Sequence, residues 1–398
     1  MQYRKMGSLD WEVSALGFGC MRLPTKRFMP LQVDAGTSIK IIRSGIDQGI
    51  NYIDTAWPYH FGAGERIVGQ ALQDGYREKV HLATKLPMFF VRESEDFDSY
   101  LERQLEKLQT DYLDIYLFHR MTKGQFEKLK DLQLMDKMIE AKERGKIRYI
   151  GFSFHDTLPV FKEVVDYYNW DVVQIQYNYM DTGIQATTDG LRYAHDKGIA
   201  VVIMEPVKGG RLANPPTEAR EIMAAARNQR SPVDWALQFV WNRPEVSVVL
   251  SGMGSQKMVD ENCASANRSG IGKLNEDDLE VINKLIEVYR KRILVPCTAC
   301  GYCMPCPSGV NIPQNFAILN NVSVEDRRIR RWLLRRGYGK LARSKEQLKG
   351  DESNGSAVMC VQCGKCLEKC PQGINIPEEL KKVHAILGKH KKITDYYV

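Results

Sequence analysis

Between Ala15 and about Ser269, short apolar, β-branched runs alternate with longer stretches whose apolar residues recur every three or four positions. The short runs predict eight strands: Leu16–Cys20, Tyr52–Asp54, Val80–Lys85, Ile115–His119, Ile147–Gly151, Val172–Gln176, Ala200–Met204 and Val246–Leu250. The longer stretches predict helices. Asp96–Leu108 puts Phe97, Leu101, Leu105 and Leu108 on one face. Phe126–Arg144 continues the rhythm until Gly145, a natural stop. Ser231-Pro232 opens Val233–Trp241 with a cap and a first-turn proline. Leu274–Tyr289 carries Glu276, Asp277 and Asp278 where a helix favours acids. Strand and helix alternating eight times predict a closed parallel (β/α)8 barrel, a TIM barrel. The competing doubly wound sheet would carry a glycine-rich loop after its first strand; Gly17-Phe18-Gly19 is too short and no such loop follows. Gln2–Val13 reads as a hairpin that closes the lower end.

Composition narrows the class without naming a function. The chain has 398 residues, 43% hydrophobic and 26% charged, which is ordinary globular usage. No run of about 18 apolar residues occurs, so no membrane span is expected. Met1–Asp10 lacks an apolar signal core, and a cytoplasmic location is the expectation. The ten cysteines divide sharply. Cys20 and Cys263 stand alone, and the other eight lie between Cys297 and Cys370. A disulfide framework would be spread through a small secreted chain. Two domains are expected: a barrel over 1–292 and a small, mostly helical unit over 293–398.

Barrel chemistry belongs at the C-terminal ends of the strands. Asp54 closes the second predicted strand, Tyr59 follows five residues later, Lys85 closes the third and His119 the fourth. A tyrosine hydroxyl can give a proton to a developing alkoxide, and a neighbouring cation stabilises the phenolate that remains. Asp54 would hold Lys85 in place, and His119 would orient the substrate oxygen. Each residue alone reads as an ordinary surface or structural side chain; their joint placement is the signal. Cys20 would face the same mouth, where a small core residue is the simpler reading.

These residues carry a resemblance. Tyr52-Ile53-Asp54-Thr55-Ala56-Trp57-Pro58-Tyr59, Glu65-Arg66-Ile67-Val68-Gly69, Ala83-Thr84-Lys85, Asp111–His119 and Gly145–Ser153 resemble the aldo-keto reductase superfamily over about 1–290. The resemblance implies a catalytic tetrad of Asp54, Tyr59, Lys85 and His119, with Tyr59 the general acid. It also implies a nicotinamide dinucleotide bound without a Rossmann fold. Ser153 and Gln174 match positions that hold the carboxamide; Glu261 and Asn262 match contacts at the adenine end. Phe154-His155 replaces the usual asparagine after Ser153, and Met204 stands where an aromatic stacks on the nicotinamide. Gly252, Met253 and Met258 replace residues expected near a 2′-phosphate, with Lys257 as a substitute cation. Both NAD and NADP therefore stay open.

The tail spells Cys360-x2-Cys363-x2-Cys366-x3-Cys370-Pro371, the run for [4Fe–4S] ligation in which the fourth cysteine serves the other cluster. Cys297-x2-Cys300-x2-Cys303-x2-Cys306-Pro307 repeats it with one residue fewer. The pattern predicts two clusters, one on Cys297, Cys300, Cys303 and Cys370, the other on Cys360, Cys363, Cys366 and Cys306. The echo of Cys306-Pro-x-Gly-Val-Asn-Ile-Pro313 in Cys370-Pro-x-Gly-Ile-Asn-Ile-Pro377 supports an internal repeat. The whole resembles a helical two-cluster ferredoxin domain over about 294–390, and the combination resembles an iron–sulfur branch of the superfamily. Two structural zinc ions are the alternative, though zinc sites more often use separated Cys-x2-Cys pairs.

Between the clusters, Ser323–Gly350 reads as a basic helix with Arg327, Arg328, Arg330, Arg331, Arg335 and Arg336, a large part of the net charge of +7. A solvated face, a docking face for an acidic electron carrier and a nucleic-acid surface are the readings, the last the weakest. The leading function is an oxidoreductase that interconverts a small-molecule carbonyl and alcohol and exchanges electrons with a partner through its clusters. The alternatives are an NAD(P)H-dependent carbonyl reductase with structural clusters, and a redox-sensing subunit without turnover. No flavin motif is recognisable.

Overall fold

The computed structural model describes residues 1–26, 29–325, 328–341 and 355–397. Arg327 and residues 342–350 of the expected basic helix lie outside them.

Strands β1 (Tyr3–Lys5) and β2 (Glu12–Ser14) form the expected antiparallel hairpin. The first barrel strand is β3 (Leu16–Gly19), and β4 (Thr25–Lys26) with β5 (Met29–Val33) makes a second small hairpin. Seven strands complete the barrel: β6 (Tyr52–Asp54), β7 (His81–Leu86), β8 (Leu113–Met121), β9 (Ile147–Phe154), β10 (Val172–Gln176), β11 (Ala200–Met204) and β12 (Val248–Ser251). They pair in parallel in chain order, and β12 closes on β3. Several strands outrun their apolar cores. β8 and β9 continue to Met121 and Phe154 because pairing resumes there after an irregularity that leaves His119 and Arg120 out of register. Met6 and Val13 of the hairpin pack with the inward side chains of Tyr52, Ile115, Val172, Ala200 and Val248, so the lower end is filled.

The helices between strands are α1 (Ala35–Asp47), α2 (Gly64–Ala71), α3 (Asp96–Leu108), α4 (Lys123–Asp131), α5 (Leu134–Glu143), α6 (Leu158–Tyr167), α7 (Thr187–Asp196), α8 (Thr217–Ala225), α9 (Pro232–Trp241), α10 (Gln256–Asn267) and α11 (Glu276–Arg292). The single helix expected over Phe126–Arg144 is two, α4 and α5. Gln133 takes a left-handed φ of 51° between them. Buried Leu129 and Leu134 are five residues apart, a spacing one helix face cannot hold.

The chain divides into two compact units. The first comprises Met1–Val207 and Val233–Asn275, and the second Lys208–Pro232 and Glu276–Val398. The second contains α8 and α11 together with α12 (Ile312–Val324), α13 (Arg328–Leu341) and α14 (Ile376–Val383). In it Asn228 and Arg230 both donate to Asp278, Arg292 pairs with Glu218 at 3.3 Å, and Arg211 donates to the Val295 carbonyl at 3.2 Å. Its core is Val310, Ile312, Phe316, Leu319, Ile376, Leu380 and Val383. The sequence echo is visible in three dimensions: α12 and α14 each follow an asparagine and start Ile-Pro. Asn315 ties the repeats together, donating to the Gly355 carbonyl and accepting from the Ala357 amide. No helix among the described residues is long and apolar enough to cross a membrane.

Candidate functional site

Four of the predicted site residues meet at the C-terminal ends of adjacent strands. Asp54 ends β6, Lys85 sits near the end of β7, and His119 lies in β8. All three are buried, and Tyr59 is half-buried in the turn after β6. Lys85 Nζ donates to both oxygens of Asp54, at 2.7 and 2.8 Å, and to the Thr55 carbonyl at 2.8 Å. Its remaining reach is toward the Tyr59 hydroxyl, 3.5 Å away. The Tyr59 and His119 rings meet edge-on at 6.1 Å. Burial, then Lys85, His155 and Arg120, pushes the His119 imidazole well below its ordinary pKa, so the ring is neutral at physiological pH. A cation fixed beside a phenol and a neutral imidazole can hold an oxygen and pass it a proton.

The surroundings make this geometry stiff. Thr84 and Gln104 donate to the buried Glu65 carboxylate, and Gln104 also donates to the Lys85 carbonyl at 3.1 Å. The Glu65 carboxyl is pushed upward by burial and partly restored by these bonds. His60 lies 3.1 Å from the Cys20 carbonyl and steadies the turn that carries Tyr59. Cys20 is fully buried in a short 3-10 turn after β3, and burial pushes its thiol far up, an inert core residue.

Two further residues join the site that the sequence reading left without a role. Arg120 is 2% exposed, with its guanidinium 4.9 Å above the Phe89 ring and its backbone N–H donating to Ser153 Oγ at 2.7 Å. Burial, then the charges of Arg120 and Lys85, brings the His155 imidazole down to about 3. The available signal was an arginine inside Leu113–Met121, a strand otherwise almost wholly apolar.

The tail cysteines gather in two groups. Cys297, Cys300, Cys303 and Cys370 line one cleft, with Ile312 and Phe316 in its wall. Cys306, Cys360, Cys363 and Cys366 line a second, which Cys303 also touches. Burial, then Cys300, Cys297 and Cys370, pushes the Cys303 thiol up to about 12. Burial also raises Cys366, together with Cys360, Cys306 and Cys363. No three His, Cys, Asp or Glu side chains among the described residues are grouped as a single ion requires. A tetrahedral zinc would draw its sulfurs to about 3.8 Å from one another. Thiols ringed around a cleft fit the larger iron–sulfur cubane.

A model of the aldo/keto reductase family matches residues 15–287. This chain belongs to that family. A 4Fe-4S dicluster domain model matches residues 296–375, so the reductase carries an iron–sulfur domain behind its barrel. The reductase is 29% identical over 313 residues to the uncharacterized oxidoreductase YqkF of Bacillus subtilis, covering 71% of this chain and 95% of that protein. It is 27% identical over 329 residues to the NADH-specific methylglyoxal reductase of Escherichia coli, covering 72% and 98%. Among solved structures it resembles the holo form of aldo-keto reductase AKR11C1 from Bacillus halodurans, at TM-score 0.60 and 28% identity, covering 72% and 96%. The reductase is an oxidoreductase enzyme with a TIM-barrel fold.

The residues expected to hold a nucleotide fall into two places. Ser153 and Gln174 are buried neighbours paired across β9 and β10, and Gln174 donates to Asp54 at 2.9 Å. Met204 ends β11 and pairs with Gln176. A hydroxyl and an amide side by side, next to the tetrad, suit a carboxamide. The other group lies on α10. Asn262 donates to Ser251 at 2.9 Å, while Lys257 and Glu261 form an exposed pair at 3.7 Å. Arg22 packs against Gly252 and brings a second cation to that loop.

Proposed function

We propose that the reductase interconverts a small carbonyl compound and its alcohol at Tyr59, using a nicotinamide dinucleotide, and exchanges electrons with a partner through two [4Fe–4S] clusters. The observation that carries the barrel reaction is Lys85 Nζ, bonded to Asp54 and facing the Tyr59 hydroxyl. Reduced nicotinamide, when bound, supplies the hydride that adds to the carbonyl carbon. Tyr59 gives its hydroxyl proton to the carbonyl oxygen. Lys85 stabilises the phenolate left behind, and Asp54 holds Lys85 in place. Neutral His119 donates a hydrogen bond to the same oxygen and fixes its direction. Ser153 and Gln174 would hold the carboxamide, Met204 would lie against the ring, and Lys257, Glu261 and Asn262 would meet the adenine end.

Cys297, Cys300, Cys303 and Cys370 would hold one cluster, and Cys306, Cys360, Cys363 and Cys366 the other. Such clusters supply one-electron storage. Two features support exchange with an acidic protein. Cys363 is exposed, and Val358, Val361 and Leu367 near it are 53%, 70% and 43% exposed. Residues 293–398 hold 17 Lys and Arg against nine Asp and Glu, whereas the first 292 hold 39 against 40. Opposite potentials steer such encounters. The test is anaerobic titration with NADH or NADPH and an aldehyde, followed by visible and electron-paramagnetic spectra. Cluster reduction by nucleotide or alcohol supports exchange; turnover with unchanged clusters supports a structural role. Tyr59→Phe should lower carbonyl turnover by about 10²–10⁴ while nucleotide binding persists. Unchanged turnover would remove Tyr59 from the reaction.

A further inference from the structure

The arginine-rich stretch between the two cysteine runs forms α13 (Arg328–Leu341), and the two sides of this helix differ. Leu334, Tyr338 and Leu341 face inward and pack on the apolar core that Cys303, Cys306, Cys360 and Cys366 also border. The Tyr338 hydroxyl lies 2.8 Å from His384 Nδ1, which fixes that side. At 3.6 residues per turn the outer side is a stripe of Ile329, Trp332 and Leu333, with Arg336 in line one turn on. The three apolar side chains are 76%, 55% and 53% exposed. Single exposed apolar residues are ordinary, but a contiguous stripe with a polar rim is the mark of a surface that meets another molecule.

Here the rim is cationic. Arg328 and Arg330, both exposed, flank the stripe on its two sides. The Arg336 guanidinium lies 4.6 Å from the centre of the Trp332 ring, a contact that orders both before any partner arrives. Arg331 turns back to the Glu325 carbonyl, bonding it through Nε at 3.0 Å and Nη2 at 2.6 Å. The elements packed on α13 bring no acid to offset this charge: α12 has no charged side chain, and residues 384–388 have only His384. Arginine and tryptophan carry much of the binding energy at protein interfaces, and a basic stripe draws an acidic partner from a distance. We propose that the outer face of α13 is the docking surface for an acidic electron-carrier protein, with Trp332 as its apolar anchor and Arg328, Arg330 and Arg336 as its charged rim. This rests on the electron exchange proposed above and gives it a place. In each encounter one electron leaves a reduced cluster and enters the carrier, so the cluster is oxidised by one and the carrier reduced by one. A lipid surface or a nucleic acid would meet the same charges, but the core that α13 shares with the cluster cysteines favours a redox partner.

The test uses the whole protein, its clusters reduced with dithionite and then freed of it, and flavodoxin, a small acidic flavoprotein, as the carrier. Stopped-flow spectra should show electron transfer to flavodoxin that slows as salt rises. Arg328→Glu combined with Arg336→Glu should slow it at least tenfold at low salt, and Trp332→Ala should slow it at least fivefold. Lys389→Glu combined with Lys391→Glu makes the same change of net charge on exposed residues of the same unit, and should alter the rate less than twofold. Every variant should keep about eight iron per chain and an unchanged rate of oxidation by neutral benzoquinone, so that a lost cluster is not mistaken for lost docking. A rate that the α13 variants leave unchanged, or that both double variants slow equally, overturns docking at α13 and leaves the exchange standing. Binding to phosphatidylserine vesicles or duplex DNA that the α13 double variant abolishes, with the flavodoxin rate unaltered, overturns the carrier as the occupant. No transfer to flavodoxin from clusters that benzoquinone oxidises overturns the exchange itself.

Discussion

Two histidines, His119 and His155, couple the active-site mouth to the stability of the barrel. His119 is buried and His155 half-buried, and both imidazoles sit below the ordinary value of about 6.5. Above that value neither the folded nor the unfolded chain binds these protons. As pH falls below it, the unfolded chain takes up protons that the folded chain refuses, so stability declines. Two groups together give a slope of up to about 2.7 kcal/mol per pH unit, continuing toward the His155 value of about 3. Chemical unfolding followed by circular dichroism between pH 7 and 4 measures this slope. His155→Asn should reduce it by about half; an unaltered slope would mean that His155 titrates freely when folded. At this scale the sequence was informative for residues that occur as strand-end motifs, such as Asp54, Tyr59 and Lys85. It gave Arg120 no part and marked His155 only as a departure from the family pattern, because their place depends on one left-handed residue and one register slip that no periodicity records.

Strand order and helix positions followed from hydrophobic rhythm, and boundaries did not. Apolar runs mark where a strand is buried on both faces, whereas β8 runs on past a register shift at His119 and Arg120 to pair again at Met121. The break between α4 and α5 shows the converse: the rhythm shifts phase at Gln133, and a reading of helix content alone passes over it. The β9–β10 seam offers a sharper test of register. A Cβ on Gly151 would lie 2.1 Å from the Val172 carbonyl oxygen and 2.8 Å from Leu117. Gly151→Ala should cost about 3 kcal/mol, since backbone cannot yield as a side chain can. Urea unfolding measures it. A loss under 1 kcal/mol would show that the β9–β10 seam opens readily to admit a methyl group. Ser153, two residues on, would move with the seam, so the same variant should weaken nucleotide binding.

For the whole chain, the asymmetric cysteines were the most legible feature, and their grouping in space carries a count. Anaerobically purified protein should contain about eight iron and eight sulfide per chain. Cys363→Ala should lower the iron by about half, and retention of full iron would remove Cys363 from the ligand set. What the sequence did not reveal is how the second unit is assembled. Spacing suggested a boundary near residue 292, but Lys208–Pro232 packs with the tail, through Arg211 on Val295. Gly209, at φ +63°, passes so near Thr298 that a Cβ would lie 2.3 Å from its carbonyl. The helices α8 and most of α11 thus belong to the family match by sequence and to the second unit by packing. Such a tail is no detachable cassette. A lineage that lost it would have to re-solvate α8 and α11 in the same event, so gain and loss of the iron–sulfur unit should leave compensating changes within residues 208–232, far upstream of the cysteines themselves.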